Sequence, residues 1–191
     1  MAATGDEMPE FDALFAFYAL LLGLAVANVT MAFAEMYKLW GRVAIGWTTP
    51  LLGVVILLSA CQQWLALFRA QADMKLGAWQ ILTCLGMALP YIFISQVMRP
   101  RPDEVVPLEQ HYAEHRLVLT GALLAPLATS GFTNIVYATM LGEWSLQTAV
   151  GLLLYIGLRF ACVIPMIIWP AVAVQRAGLI ALGGFTALMM F

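Results

Sequence analysis

The sequence predicts an all-α bundle of about six membrane-crossing helices, and three observations carry that prediction. Hydrophobic residues make up 63% of the chain and charged residues only 10%, whereas about a quarter of a soluble domain is charged. The apolar residues are gathered into spans near the 20 residues that a helix needs to cross the hydrocarbon core. Between Phe11 and Phe191 the one long polar interruption is RPRPDEVVPLEQHYAEHR, residues 99–116. The chain therefore reads as a single integral membrane domain over 1–191. A first three-helix half covers 1–98, a connector 99–116 and a second half 117–191.

The first span runs from Phe11 to about Tyr37 and is stopped by Lys38 and Arg42. The acidic stretch before it lacks the basic region of a signal peptide, so the span is expected to be retained as a helix. The second runs from Trp47 to about Phe68, with Pro50 tolerable in a first turn. The third covers about Leu76 to Met98, kinked at Pro90. Pro100, Pro102 and Pro107 keep the start of the connector from being helical. Leu108 to Arg116 can be helical and runs into the fourth span, Leu117 to about Leu141, kinked near Pro126. The fifth starts near Trp144 and the sixth ends at Phe191. Their boundary is expected at Trp169–Arg176, which keeps Arg176 at a surface and leaves the sixth helix short.

Short loops rich in Lys and Arg lie in the cytoplasm. Six spans put Lys38, Arg42, Arg99, Arg101, Arg116 and Arg176 on one side, against Arg69 and Lys75 on the other. That count places the connector in the cytoplasm and both termini outside. Tryptophans 40, 47, 79, 144 and 169 fall near span ends, as interfacial anchors do. The halves share a faint likeness: Ala34, Met36 and Trp40 recur as Ala138, Met140 and Trp144 at one offset. Three spans per half would then form a 3+3 inverted repeat, an arrangement common in transporters.

Polar residues inside the spans are the candidates for function, because each is costly in hydrocarbon. Arg159 stands alone in GLLLYIGLRFACVIPMII, and Glu35, in the cytoplasmic half of the first span, is its expected ion-pair partner. Asn28 shares the stripe of Glu35. Gln62 and Gln63 on the second span, with Thr129, Ser130, Thr133 and Asn134 on the fourth, either bond helices together or line an aqueous path. The expectation is two polar clusters at different depths: Gln62, Gln63 and Asn134 toward the outer side, and Asn28, Glu35 and Arg159 toward the inner. Ala19, Gly23 and Ala27 form a small-residue stripe suited to internal packing or to a homo-oligomer contact.

His111, Glu114 and His115 match the H-x-x-E-H zinc pattern only weakly, because a third ligand on the same side is lacking. The bland alternative is an interfacial helix with Glu109, Glu114 and Arg116 solvated and Leu108 and Tyr112 touching the bilayer. No nucleotide, kinase or serine-hydrolase pattern is present, so no cofactor is expected, and a membrane-embedded enzyme acting on lipid is a minor reading that lacks an intramembrane His or a serine with a base. A net charge of −2 offers nucleic acid no basic stripe. Cys61, Cys84 and Cys162 lie in apolar spans without CxxC spacing and read as small buried hydrophobes.

Leu22-Gly23-Leu24-Ala25 in a first helix with a basic end, Gln63-Trp64 late in the second, and a proline-acidic connector running into His111-Tyr112 and Arg116 carry a resemblance. The chain resembles small six-span inner-membrane proteins of bacteria. That likeness implies the fold and an inner-membrane location, and it transfers no catalytic residue. A channel or transporter for an ion or small solute is the leading expectation. The alternative is a non-transporting subunit, sensor or scaffold that binds a cytoplasmic protein through 99–116.

Overall fold

Six helices form among the described residues: α1 (Glu7–Leu39), α2 (Thr48–Arg69), α3 (Ala78–Val97), α4 (Leu108–Met140), α5 (Leu146–Ile168) and α6 (Val172–Leu188). They come from a computed structural model that describes residues 7–69, 78–99, 107–140, 142 and 145–190, with side chains from residue 11 onward. Lys75, Arg101, Pro100, Pro102 and Trp144, used in the sequence argument, lie outside the described residues. No strand forms among those that are described.

Five of the helices are long and apolar enough to cross a membrane. The sixth has 17 residues, the lower edge of the crossing range. The outer surface is apolar, with Leu20, Leu153 and Leu154 about two-thirds exposed, so the bundle is an integral membrane protein. Its interior is packed by Tyr18, Ala25 and Val29 of α1, Leu52 and Ile56 of α2, and Ile94 of α3, among others. Gly41, at φ 84°, turns the chain after α1, a conformation that glycine adopts without penalty.

The helices pack in the cyclic order α1, α3, α4, α5, α6, α2, and α2 also touches α3 and α4 across the ring. The starts of α1, α3 and α5 lie with the ends of α2, α4 and α6; this is the termini end. The other end carries the connector. Helix lengths follow the expected repeat, at 33, 22 and 20 residues against 33, 23 and 17. The packing does not follow it. The extensive α1–α3 contact has no equal between α4 and α6, and α6 lies along α2 instead.

The sequence places the last turn at 169–176, and the structure shortens it to Trp169–Ala171, so Arg176 sits inside α6. Pro170 explains the break. It offers no N–H to the Met166 carbonyl four residues back, and the residue before it is turned out of the helix. The freed carbonyls of Met166 and Ile167 accept from Arg116 Nη1, each at 2.9 Å. Gln175 Nε2 donates to Met166 and Trp169 at 2.6 and 2.8 Å. Where α6 folds back on α5, Gly178 lies so close that a Cβ would meet the Cys162 carbonyl at 2.8 Å.

Candidate functional site

A cavity of about 640 Å³ opens among α2, α3, α4 and α5 in the half of the bundle nearer the termini end. Five sequence candidates line it together: Gln62 and Gln63 from α2, and Ser130, Thr133 and Asn134 from α4. The third and fifth helices add Gln80 and Thr83 from α3 and Thr148 from α5, which sequence reasoning passed over, and Tyr155 from α5, one turn from Arg159. Tyr18 of α1 and Tyr137 of α4 complete the polar lining, and Trp79, Met87 and Leu152 supply apolar wall.

The hydrogen bonding of this lining is incomplete. Thr133 Oγ1 and Asn134 Nδ2 donate back to the carbonyls of Thr129 and Ser130, at 2.8 and 2.9 Å. The hydroxyls of Tyr18, Thr83 and Tyr137 are buried with no protein partner. A buried hydroxyl without a partner costs about 1–3 kcal/mol, so three of them around one cavity call for water or a polar solute.

Arg159 does not itself line the cavity but lies buried behind two residues that do, Gln62 and Tyr155, at 4% exposure. Its Nη2 donates to Gln62 Oε1, and its guanidinium carbon lies 4.4 Å from the centre of the Tyr155 ring and 5.6 Å from that of Phe185. Both are cation–π contacts. Tyr91 of α3, hydrogen-bonded to Ser59 and Gln63, feels the same charge. Arg159 Nε has no hydrogen-bond partner.

The expected Arg159–Glu35 ion pair is not formed. Glu35 instead accepts from Arg99, whose Nε is 3.2 Å away, and this hydrogen bond raises the Arg99 guanidinium above its ordinary pKa. The reason is direction as much as distance. α1 packs on α2 and α3, while α5 packs on α4 and α6. The Cα–Cβ bonds of a helix also tilt toward its N-terminus, so Arg159 reaches toward the termini end, where α5 begins. The expected separation of two polar clusters by depth fails for the same reason, because Arg159 joins Gln62 at the cavity. Asn28 and Glu35 do not line it. Asn28 is buried elsewhere in α1 with Nδ2 unpartnered.

The connector end is closed by polar contacts. Glu109 accepts from the Thr48 hydroxyl at 2.7 Å and from Arg176 at 2.7 Å. Tyr112 donates to Gln175 at 2.9 Å. The bilayer contact expected of Leu108 and Tyr112 is therefore overturned, since both are buried in protein with His111, while Glu114 is exposed as expected. His111 Nε2 donates to the Val97 carbonyl at 3.1 Å, His115 Nδ1 donates to that of His111 at 3.0 Å, and Glu114 accepts from Gln110. No group of three metal-binding side chains occurs among the described residues.

Ala19, Gly23 and Ala27 face outward. Gly23 and Ala27 are exposed, and a Cβ added at Gly23 would meet nothing within 4 Å. The stripe does not pack inside this chain; the interior face of α1 is built from Tyr18, Leu22, Ala25 and Val29.

No family model matches the chain, and neither do any curated protein or solved structure. The site's own geometry therefore carries the functional reading.

Proposed function

We propose that the protein is a small-solute transporter whose binding chamber is the α2–α5 cavity, open toward the termini end and closed at the connector end. The observation that carries this reading is the cavity itself. About 640 Å³ lies within the range of small-molecule sites, and its lining residues Tyr18, Thr83 and Tyr137 carry hydroxyls that have no partner in the protein. The Glu35–Arg99 and Glu109–Arg176 pairs, together with Tyr112–Gln175, act as the closed gate. The termini end faces the outside of a bacterial-type inner membrane in this reading. The outward stripe of Ala19, Gly23 and Ala27 provides a homo-oligomer contact. The alternative of a cytoplasmic protein partner depends on 99–116, of which 100–106 lie outside the described residues.

Thiol labelling tests the proposal. In a background without Cys61, Cys84 and Cys162, Thr133→Cys is expected to react with a membrane-impermeant maleimide added outside intact cells. Gln110→Cys, exposed at the connector end, is expected to react only after the cells are opened. A Thr133→Cys thiol that is inert from both faces contradicts an open chamber.

A further inference from the structure

We infer that the chamber takes a singly charged oxyanion on a short apolar chain, a carboxylate or a phosphodiester, and that Arg159 binds the charge. This rests on the chamber reading above and names its ligand class. Described side chains include four carboxylates, and none serves Arg159. Glu35 and Glu109 are held by Arg99 and Arg176, Glu114 accepts from Gln110, and Asp12 is exposed near the start of α1. Among the described residues, Arg159 is thus a buried cation facing only neutral groups: a glutamine oxygen, two aromatic rings and the Tyr91 side chain. A cation at that depth is expensive without a counter-charge.

Gln62 occupies the place that the counter-charge would take. Its Oε1 accepts from Arg159, and its side chain also lines the cavity. An incoming oxyanion displaces this neutral oxygen and takes a second N–H from the unpartnered Nε, the two-pronged geometry that guanidinium offers to carboxylate and phosphate. One guanidinium balances one negative charge, so a dianion would remain half uncompensated. The apolar wall of Trp79, Met87 and Leu152 suits a hydrocarbon chain, and the Tyr18, Thr83 and Tyr137 hydroxyls suit further oxygens on the ligand.

The test uses the full chain in nanodiscs and reads the shift in unfolding temperature together with calorimetric binding. Sodium hexanoate added to phosphatidylcholine nanodiscs probes a water-soluble source. Nanodiscs containing phosphatidylglycerol probe a lipid source. Hexanol and hexylammonium are the controls for chain and charge. At least one anion is expected to stabilise the protein while both controls do not; hexanoate alone assigns the site to a solute, and phosphatidylglycerol alone to a lipid. Arg159→Met is expected to weaken that binding by about tenfold or more, the scale of a lost charged hydrogen bond. Gln62→Glu supplies the counter-charge from within the chain, so it is expected to raise the unfolding temperature and abolish anion binding. It decides the matter even if Arg159→Met fails to fold. Stabilisation by hexanol equal to that by hexanoate, or anion binding that survives Gln62→Glu, overturns the inference while leaving the chamber intact. A chamber that is absent shows itself separately, through the inert thiol at position 133.

Discussion

Arg159 shows how a single side chain's direction decides what a site is. Roughly 20 Å of helix separates it from the start of α5, close to mid-membrane, and from there a long side chain can serve either end. The N-terminal tilt of helical side chains sends it to Gln62 rather than to the connector end. Gln62, Gln63, Ser130, Thr133 and Asn134 were legible in the sequence because polar groups in apolar spans are conspicuous. Tyr18, Thr83, Tyr137 and Gln175 were not, since tyrosine and threonine suit core and interface equally, and Gln175 adjoins a chain turn. Gln175 is the residue that joins α4, α5 and α6, being 2% exposed with both ends of its amide engaged. Tyr112→Phe is therefore expected to leave Gln175 Oε1 unpaired and cost about 1–3 kcal/mol, measured by unfolding in detergent. Tyr37→Phe, at a side chain 77% exposed, is the comparison expected to show no loss.

At the scale of elements, the existence and order of all six helices follow from apolar run length. Their ends follow from proline and charge. The last turn departs from expectation, and Pro170 is the local cause. α4 begins at Leu108 and runs unbroken for 33 residues, roughly 50 Å. Its first turns stand beyond the hydrocarbon core, yet they are buried against α2, α3 and α6 by Glu109, His111 and Tyr112. Nothing in the order of residues revealed those partners, which are 14 to 67 positions away. The small-residue positions divide in the same way. Gly178 sits at the tight α5–α6 contact and Gly23 in open space. Gly178→Leu is expected to destabilise the fold by about 1–3 kcal/mol through overpacking. Gly23→Leu is expected to leave monomer stability unchanged, and detergent unfolding of the two variants side by side distinguishes them.

Across the whole molecule the two ends differ in kind. One is stitched by ion pairs and by hydrogen bonds to carbonyls that Pro170 sets free; the other opens on a cavity whose polar groups await partners. An inverted repeat would have made the ends more alike, and the lengths of the helices alone kept that expectation alive. Packing breaks the symmetry, because α6 lies along α2 and leaves α2 to face α3, α4 and the cavity. The central claim is that the interior between α2 and α5 is filled by water while the outside of the bundle meets lipid. Spin-label accessibility tests it most directly, with one label at Thr133 in the cavity and one at Gly23 on the outer face, each exposed in turn to a water-soluble nickel chelate and to oxygen. The account predicts strong relaxation by the chelate at Thr133 and by oxygen at Gly23. Oxygen-dominated relaxation at both positions, or a Thr133 label that neither agent reaches, would contradict it.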